Sequence, residues 1–130
     1  MNKLTDFLRR ALLADAAISG ATGLLMMLGA EFLKGLLGVP VSLLYYAGLS
    51  LLPFAALLVY FTTRESLARP VLWAIIICNA LWAIDSILLL LTGWIQPTAL
   101  GYAFIIAQAL VVAIFAELQY FGLRRSQAYA

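Results

Sequence analysis

The stretch VLWAIIICNALWAIDSILLLLT, Val71–Thr92, decides the fold class. It is 22 residues long, almost wholly apolar, and interrupted by Asn79 and Asp85. A helix rising ~1.5 Å per residue would carry it about 33 Å, enough to cross a hydrocarbon core of about 30 Å with slight tilt. Arg69-Pro70 closes it on one side, and Gly93-Trp94 with Pro97 closes it on the other.

The composition fits that reading. Of 130 residues, 65% are hydrophobic and 11% charged, whereas soluble domains carry about 25% charged residues. A soluble domain of this size has too little interior to hide so much apolar surface. The expected class is an all-α polytopic membrane protein in a single domain, residues 1–130. The net charge of +2 lacks any basic run interleaved with aromatics, so no nucleic-acid partner is expected. Membrane lipid is the expected surroundings. No cofactor and no metal are expected. Histidine is missing from the chain, which removes the commonest metal ligand and general base. Cys78 is the single cysteine and is read as a small buried hydrophobe.

Working outward, four spans are expected at about residues 11–30, 42–62, 71–92 and 98–122. The first is not read as a secretory leader. It is too long for a leader's apolar core, Asp15 interrupts it, and Leu28-Gly29-Ala30 is a poor cleavage site. Ala16 and Gly20 lie four apart, as do Ser19 and Gly23, so this span carries a small-residue face for close helix packing. That face serves either bundle packing or a dimer. Glu31–Pro40 is too short to span and is expected to lie in the interface, with Phe32, Leu33, Leu36 and Leu37 on its apolar side. In the second span, Pro53 frees a carbonyl near Leu49 that Ser50 or a neighbouring helix could satisfy.

Loop charges set the expected orientation. Lys3, Arg9, Arg10, Arg64, Arg69, Arg124 and Arg125 fall on one side of a four-span chain, and only Lys34 on the other. The positive-inside rule then puts both termini in the cytoplasm of a bacterial inner membrane.

Three acids fall inside the expected spans. A charge at mid-bilayer costs about 2.5–3.5 kcal/mol on insertion scales, so each is a candidate site. Asp15 and Glu117 lie near the arginine-rich side, where interfacial ion pairs with arginine or a substrate site on that side are both open. Asp85 lies about 10 Å from the other surface at ~1.5 Å per residue, with Tyr45 or Tyr46 and Tyr102 as expected neighbours. It is the leading ligand-site candidate, against the alternative of an interhelical hydrogen bond that sets register. Asn79, Trp82 and Ser86 share one helical stripe. Asn79 is expected either to bond Gln108 across the interface or to line a small polar cavity walled by Trp82.

No catalytic constellation is legible: there is no Ser-His-Asp set, no phosphate-cradling glycine loop and no metal-ligand cluster. Three functions stay open. The favoured one is a non-enzymatic accessory or scaffold subunit packing against itself or a larger membrane complex. Another is a small carrier or binder of lipid or another hydrophobic ligand, with its site at Asp85. The third is a membrane enzyme acting on lipid or quinone. The apolar first span, the turn Gly35-Leu36-Leu37-Gly38-Val39-Pro40 and the opening Tyr45-Tyr46-Ala47-Gly48 of the second span resemble small four-helix, DoxX-like proteins of bacterial inner membranes. That resemblance covers about the first half of the chain. It implies the four-helix architecture and no catalytic residue.

Overall fold

The computed structural model describes residues 2–128; Met1, Tyr129 and Ala130 lie outside the described residues. Helix α1 spans Asp6–Leu28, α2 Ala30–Leu37, α3 Val41–Thr62, α4 Arg69–Thr92 and α5 Ala99–Ala128. The four expected spans correspond to α1, α3, α4 and α5, each long and apolar enough to cross a membrane.

Local chemistry sets the ends. Thr5 caps α1, its hydroxyl accepting from the Leu8 amide at 3.1 Å, and Asp6 in the first turn suits the helix dipole. This cap starts α1 five residues before the expected Ala11, which carries Asp15 deeper than the sequence suggested. The short helix α2 ends at Gly38, whose φ of 68° is left-handed. A side chain there would also strike the backbone of Gln96 and Thr98. Pro70 starts α4 in its first turn, where its missing N–H goes unneeded. Pro53 leaves α3 continuous. The Ser50 hydroxyl donates to the Ala47 carbonyl at 2.7 Å rather than serving Leu49.

Two features were not expected. Asn2–Lys3 (β1) pairs antiparallel with Ser66–Leu67 (β2), clipping the start of the chain across the α3–α4 turn. In α2, Leu33 and Leu37 turn into the bundle while Phe32 and Leu36 face outward, so the apolar side expected of that segment is split.

The helices associate as two pairs, α1 on α3 and α4 on α5, joined along α1 and α5. The α1–α3 seam is the most extensive and brings the two backbones into contact. A Cβ on Gly48 would lie 2.6 Å from the Gly23 carbonyl oxygen and 2.9 Å from the Met27 amide nitrogen. Gly20 meets Ala55 on the same seam, and Ala16, Ser19 and Gly23 are buried. The small-residue face is therefore occupied within the bundle, and of its two expected uses the structure shows the intramolecular one.

The apolar interior divides in two. One core, at the arginine-rich end, gathers Leu8, Leu12, Leu58, Leu72 and Leu123. The other, at the opposite end, gathers Met26, Leu33, Leu37, Leu44 and Ile105. The outward faces are apolar as well: Leu28, Leu91 and Phe32 are 78%, 76% and 72% exposed. Monomeric soluble proteins do not show continuous apolar surface on this scale. Lipid is the medium that accommodates it, and the chain is a multi-pass membrane protein.

Backbone contact at the α1–α3 crossing leaves no room for a methyl group. Gly48→Ala is expected to destabilise the bundle by about 1–3 kcal/mol, read as an earlier unfolding midpoint in denaturing mixed micelles. Gly35→Ala, where a Cβ meets nothing within 4 Å, is expected to leave the midpoint in place.

Candidate functional site

Between the two cores lies a layer of polar side chains and cavities. Asp15, Asn79 and Gln119 each sit about 14 Å in from the arginine-rich end of their helix, at ~1.5 Å rise per residue, so three helices bring them to one level. All three are almost wholly enclosed, at 0%, 3% and 1% exposure. The Asp15 carboxyl accepts three hydrogen bonds: from the Ser19 hydroxyl at 3.0 Å on Oδ1, and from Asn79 Nδ2 and Gln119 Nε2, both at 2.7 Å, on Oδ2. Asn79 Nδ2 also donates to Gln119 Oε1 at 2.9 Å.

This arrangement corrects two expectations. Asp15 does not pair with an arginine at the interface. The Arg9 guanidinium turns to the end of α3, donating to the carbonyls of Thr62 and of Arg64, the latter at 3.1 Å. There it compensates the negative end of the helix dipole. Nor does Asn79 bond Gln108. Buried at the level of Asp15, it is drawn to the carboxyl, the strongest acceptor within reach.

Gln108 belongs to a second polar set, nearer the other end. Its Oε1 accepts from the Trp82 indole at 2.7 Å, and its Nε2 donates to the Ser86 hydroxyl oxygen at 2.9 Å. Ser86 in turn donates to the Trp82 carbonyl at 2.8 Å. The stripe thus serves two clusters, Asn79 in that of Asp15, and Trp82 and Ser86 in that of Gln108.

Cavities surround Trp82. The first, about 140 Å³, is lined by Ser19, Ser50, Leu51, Phe54, Asn79 and Val112 among others. The second, about 260 Å³, adjoins it through Ser19, Leu51, Trp82 and Val112. The third, about 230 Å³, runs toward the end opposite the arginines between α3, α4 and α5. Leu43, Ala47, Leu89 and Phe104 form much of its wall, with Asp85, Ser86 and Gln108 as its polar side.

Asp85 lines this third cavity, is exposed, and has no hydrogen-bond or ion-pair partner among the described residues. Tyr45 and Tyr102, expected beside it, are 42% and 43% exposed and do not line the cavity. Tyr45 instead packs edge-on against Tyr46, their ring centroids 5.6 Å apart. Glu117 is exposed over a shallow depression with Ile76 and Tyr120, without a partner among the described residues. The arginines expected near it lie over rings instead, Arg124 over Tyr120 and Arg125 over Phe7. Cys78, expected to be buried, is exposed at the rim of the first cavity.

The residue that sequence reasoning missed is Gln119. Its signal was its level: counted back from the end of α5, it faces Asp15 and Asn79. That count needs the helix end at Ala128 rather than at Gly122. No family model matches the chain, and neither do the characterised proteins or the solved structures with which it was compared.

The three-helix carboxyl cluster gives a direct expectation. Interhelical hydrogen bonds in membranes average about 0.6 kcal/mol, and an orphaned buried donor costs about 1–3 kcal/mol. Asp15→Leu, which strands donors from Ser19, Asn79 and Gln119, is expected to lower stability by about 2–4 kcal/mol. Asp15→Asn keeps one acceptor oxygen and is expected to lose less. Unfolding of the two variants in mixed micelles checks the order.

Proposed function

We propose that this protein binds a small amphiphile taken from the bilayer, with the head of the ligand at Asp85 and its apolar part in the adjoining cavity. The observation that carries this reading is the Asp85 carboxyl, which lies within a span, lines a mainly apolar cavity of about 230 Å³ and has no partner among the described residues. An acid at that depth is stabilised by a donor from outside the fold. A head group that donates hydrogen bonds, above all an ammonium, meets that need while its chain fills the apolar wall of Leu43, Ala47, Leu89 and Phe104. Trp82, Ser86 and Gln108 hold one another by hydrogen bonds and give that wall a fixed polar edge.

An accessory-subunit reading needs a free packing face. The small-residue face of α1 is occupied by α3, so that face is not open to a second protein. The ligand reading therefore has the better physical support.

Binding of dodecylamine to the protein in phosphatidylcholine nanodiscs tests the proposal. Wild type is expected to bind it, with Asp85→Leu at least tenfold weaker, equivalent to about 1.4 kcal/mol or more. Asp85→Asn is expected to fall between them, keeping an acceptor oxygen without the charge. Equal binding by all three would refute a role for Asp85.

A further inference from the structure

The geometry points to a second ligand site, in the cavity of about 140 Å³ between Asn79 and Phe54, that takes a hydroxylated aromatic ring of the phenol type with its hydroxyl donating to Asn79 Oδ1. It rests on the reading that this protein draws small ligands from the bilayer, but at a place that does not include Asp85.

The direction of the Asn79 amide is fixed by its neighbours. Nδ2 faces two acceptors, Asp15 Oδ2 at 2.7 Å and Gln119 Oε1 at 2.9 Å. Turning the amide over would bring oxygen against oxygen at both contacts. Both amide hydrogens are thereby directed at the carboxyl cluster. Oδ1 is left without a partner among the described residues, on a side chain only 3% exposed that lines the cavity. Buried carbonyl oxygens rarely go unpaired. The serines offer it no hydrogen: Ser19 donates to Asp15 Oδ1 and Ser50 donates to the Ala47 carbonyl.

Size and lining then select the occupant. An apolar cavity of about 150 Å³ holds one benzene ring. Leu51, Phe54, Trp82 and Val112 give this cavity an apolar and partly aromatic wall. A water molecule, with a share of liquid volume of about 30 Å³, would satisfy Oδ1 and leave most of the space empty. An alkyl chain would fill the space and leave Oδ1 unpaired. A ring bearing one hydroxyl does both. Any apolar substituent on the ring has room in the adjoining cavity of about 260 Å³.

Cys78, at the rim and the only cysteine in the chain, reports on occupancy. Its rate of alkylation by a maleimide is measured in phosphatidylcholine nanodiscs with phenol or with toluene, which has nearly the same shape and lacks the donor. Phenol is expected to protect Cys78 at roughly a tenfold lower concentration than toluene, the worth of one well-placed hydrogen bond. Val112→Phe, which fills the cavity without touching the carboxyl cluster, is expected to abolish protection by both. Asp85→Leu is expected to leave protection by phenol unchanged, whether or not it loses dodecylamine. Equal protection by phenol and toluene would overturn the role of Asn79. Protection by neither, or protection that survives Val112→Phe, would overturn the site itself.

Discussion

One carboxyl group holds the two halves of this bundle together. Asp15 is wholly enclosed and receives donors from α1, α4 and α5. In lipid no general hydrophobic force draws one apolar helix to another, so close packing and polar contacts decide which helices meet and at what register. The α1–α3 pair is set by glycine backbones in contact. The junction between that pair and α4–α5 is set by Asp15. A slip of one residue in α4 would swing Asn79 by about 100° around the helix axis and break the set.

Two cavities open beside the layer in which Asp15 sits, lined by its partners Ser19 and Asn79. The apolar cores lie on either side of it, and a third cavity continues past Trp82 into the core at the end away from the arginines. Amides and carboxyls fix directions and leave gaps that branched aliphatic side chains would close. Rigidity and vacancy therefore occur together, a combination suited to holding a ligand in a defined pose. The Trp82 indole, pinned to Gln108, gives these spaces a wall that does not turn freely.

Most of the architecture was legible in the residues themselves. Apolar runs of about twenty, punctuated by Pro40, Pro70, Gly93 and Pro97, mark four spans without ambiguity, because bilayer thickness fixes their length. Depth was harder to read. Taking the first span from Ala11 placed Asp15 near the surface among arginines, whereas the Thr5 cap lengthens the helix and sinks the acid to the level of Asn79. Which polar groups meet depends on the rotation of each helix, and nearly uniform apolarity around α4 hides that rotation. Asn79 and Gln108 looked like partners because both lie near the middle of their spans. Gln119, closer to a helix end, was the true partner. Asp85 was singled out for its position alone, and its cavity became visible only once α3 and α5 were in place beside it.

The split of the carboxyl cluster between halves has a consequence for biogenesis. Asp15 and Ser19 enter the membrane early in synthesis, while Asn79 and Gln119 emerge only with the last two helices. Until then the nascent chain carries an acid that has only Ser19 of its three donors, so the first helices cannot be locked to the rest before the last span is made. Truncation after α3 would leave the Asp15 carboxyl without the Asn79 and Gln119 donors, inside a pair of helices with no α4–α5 half to join.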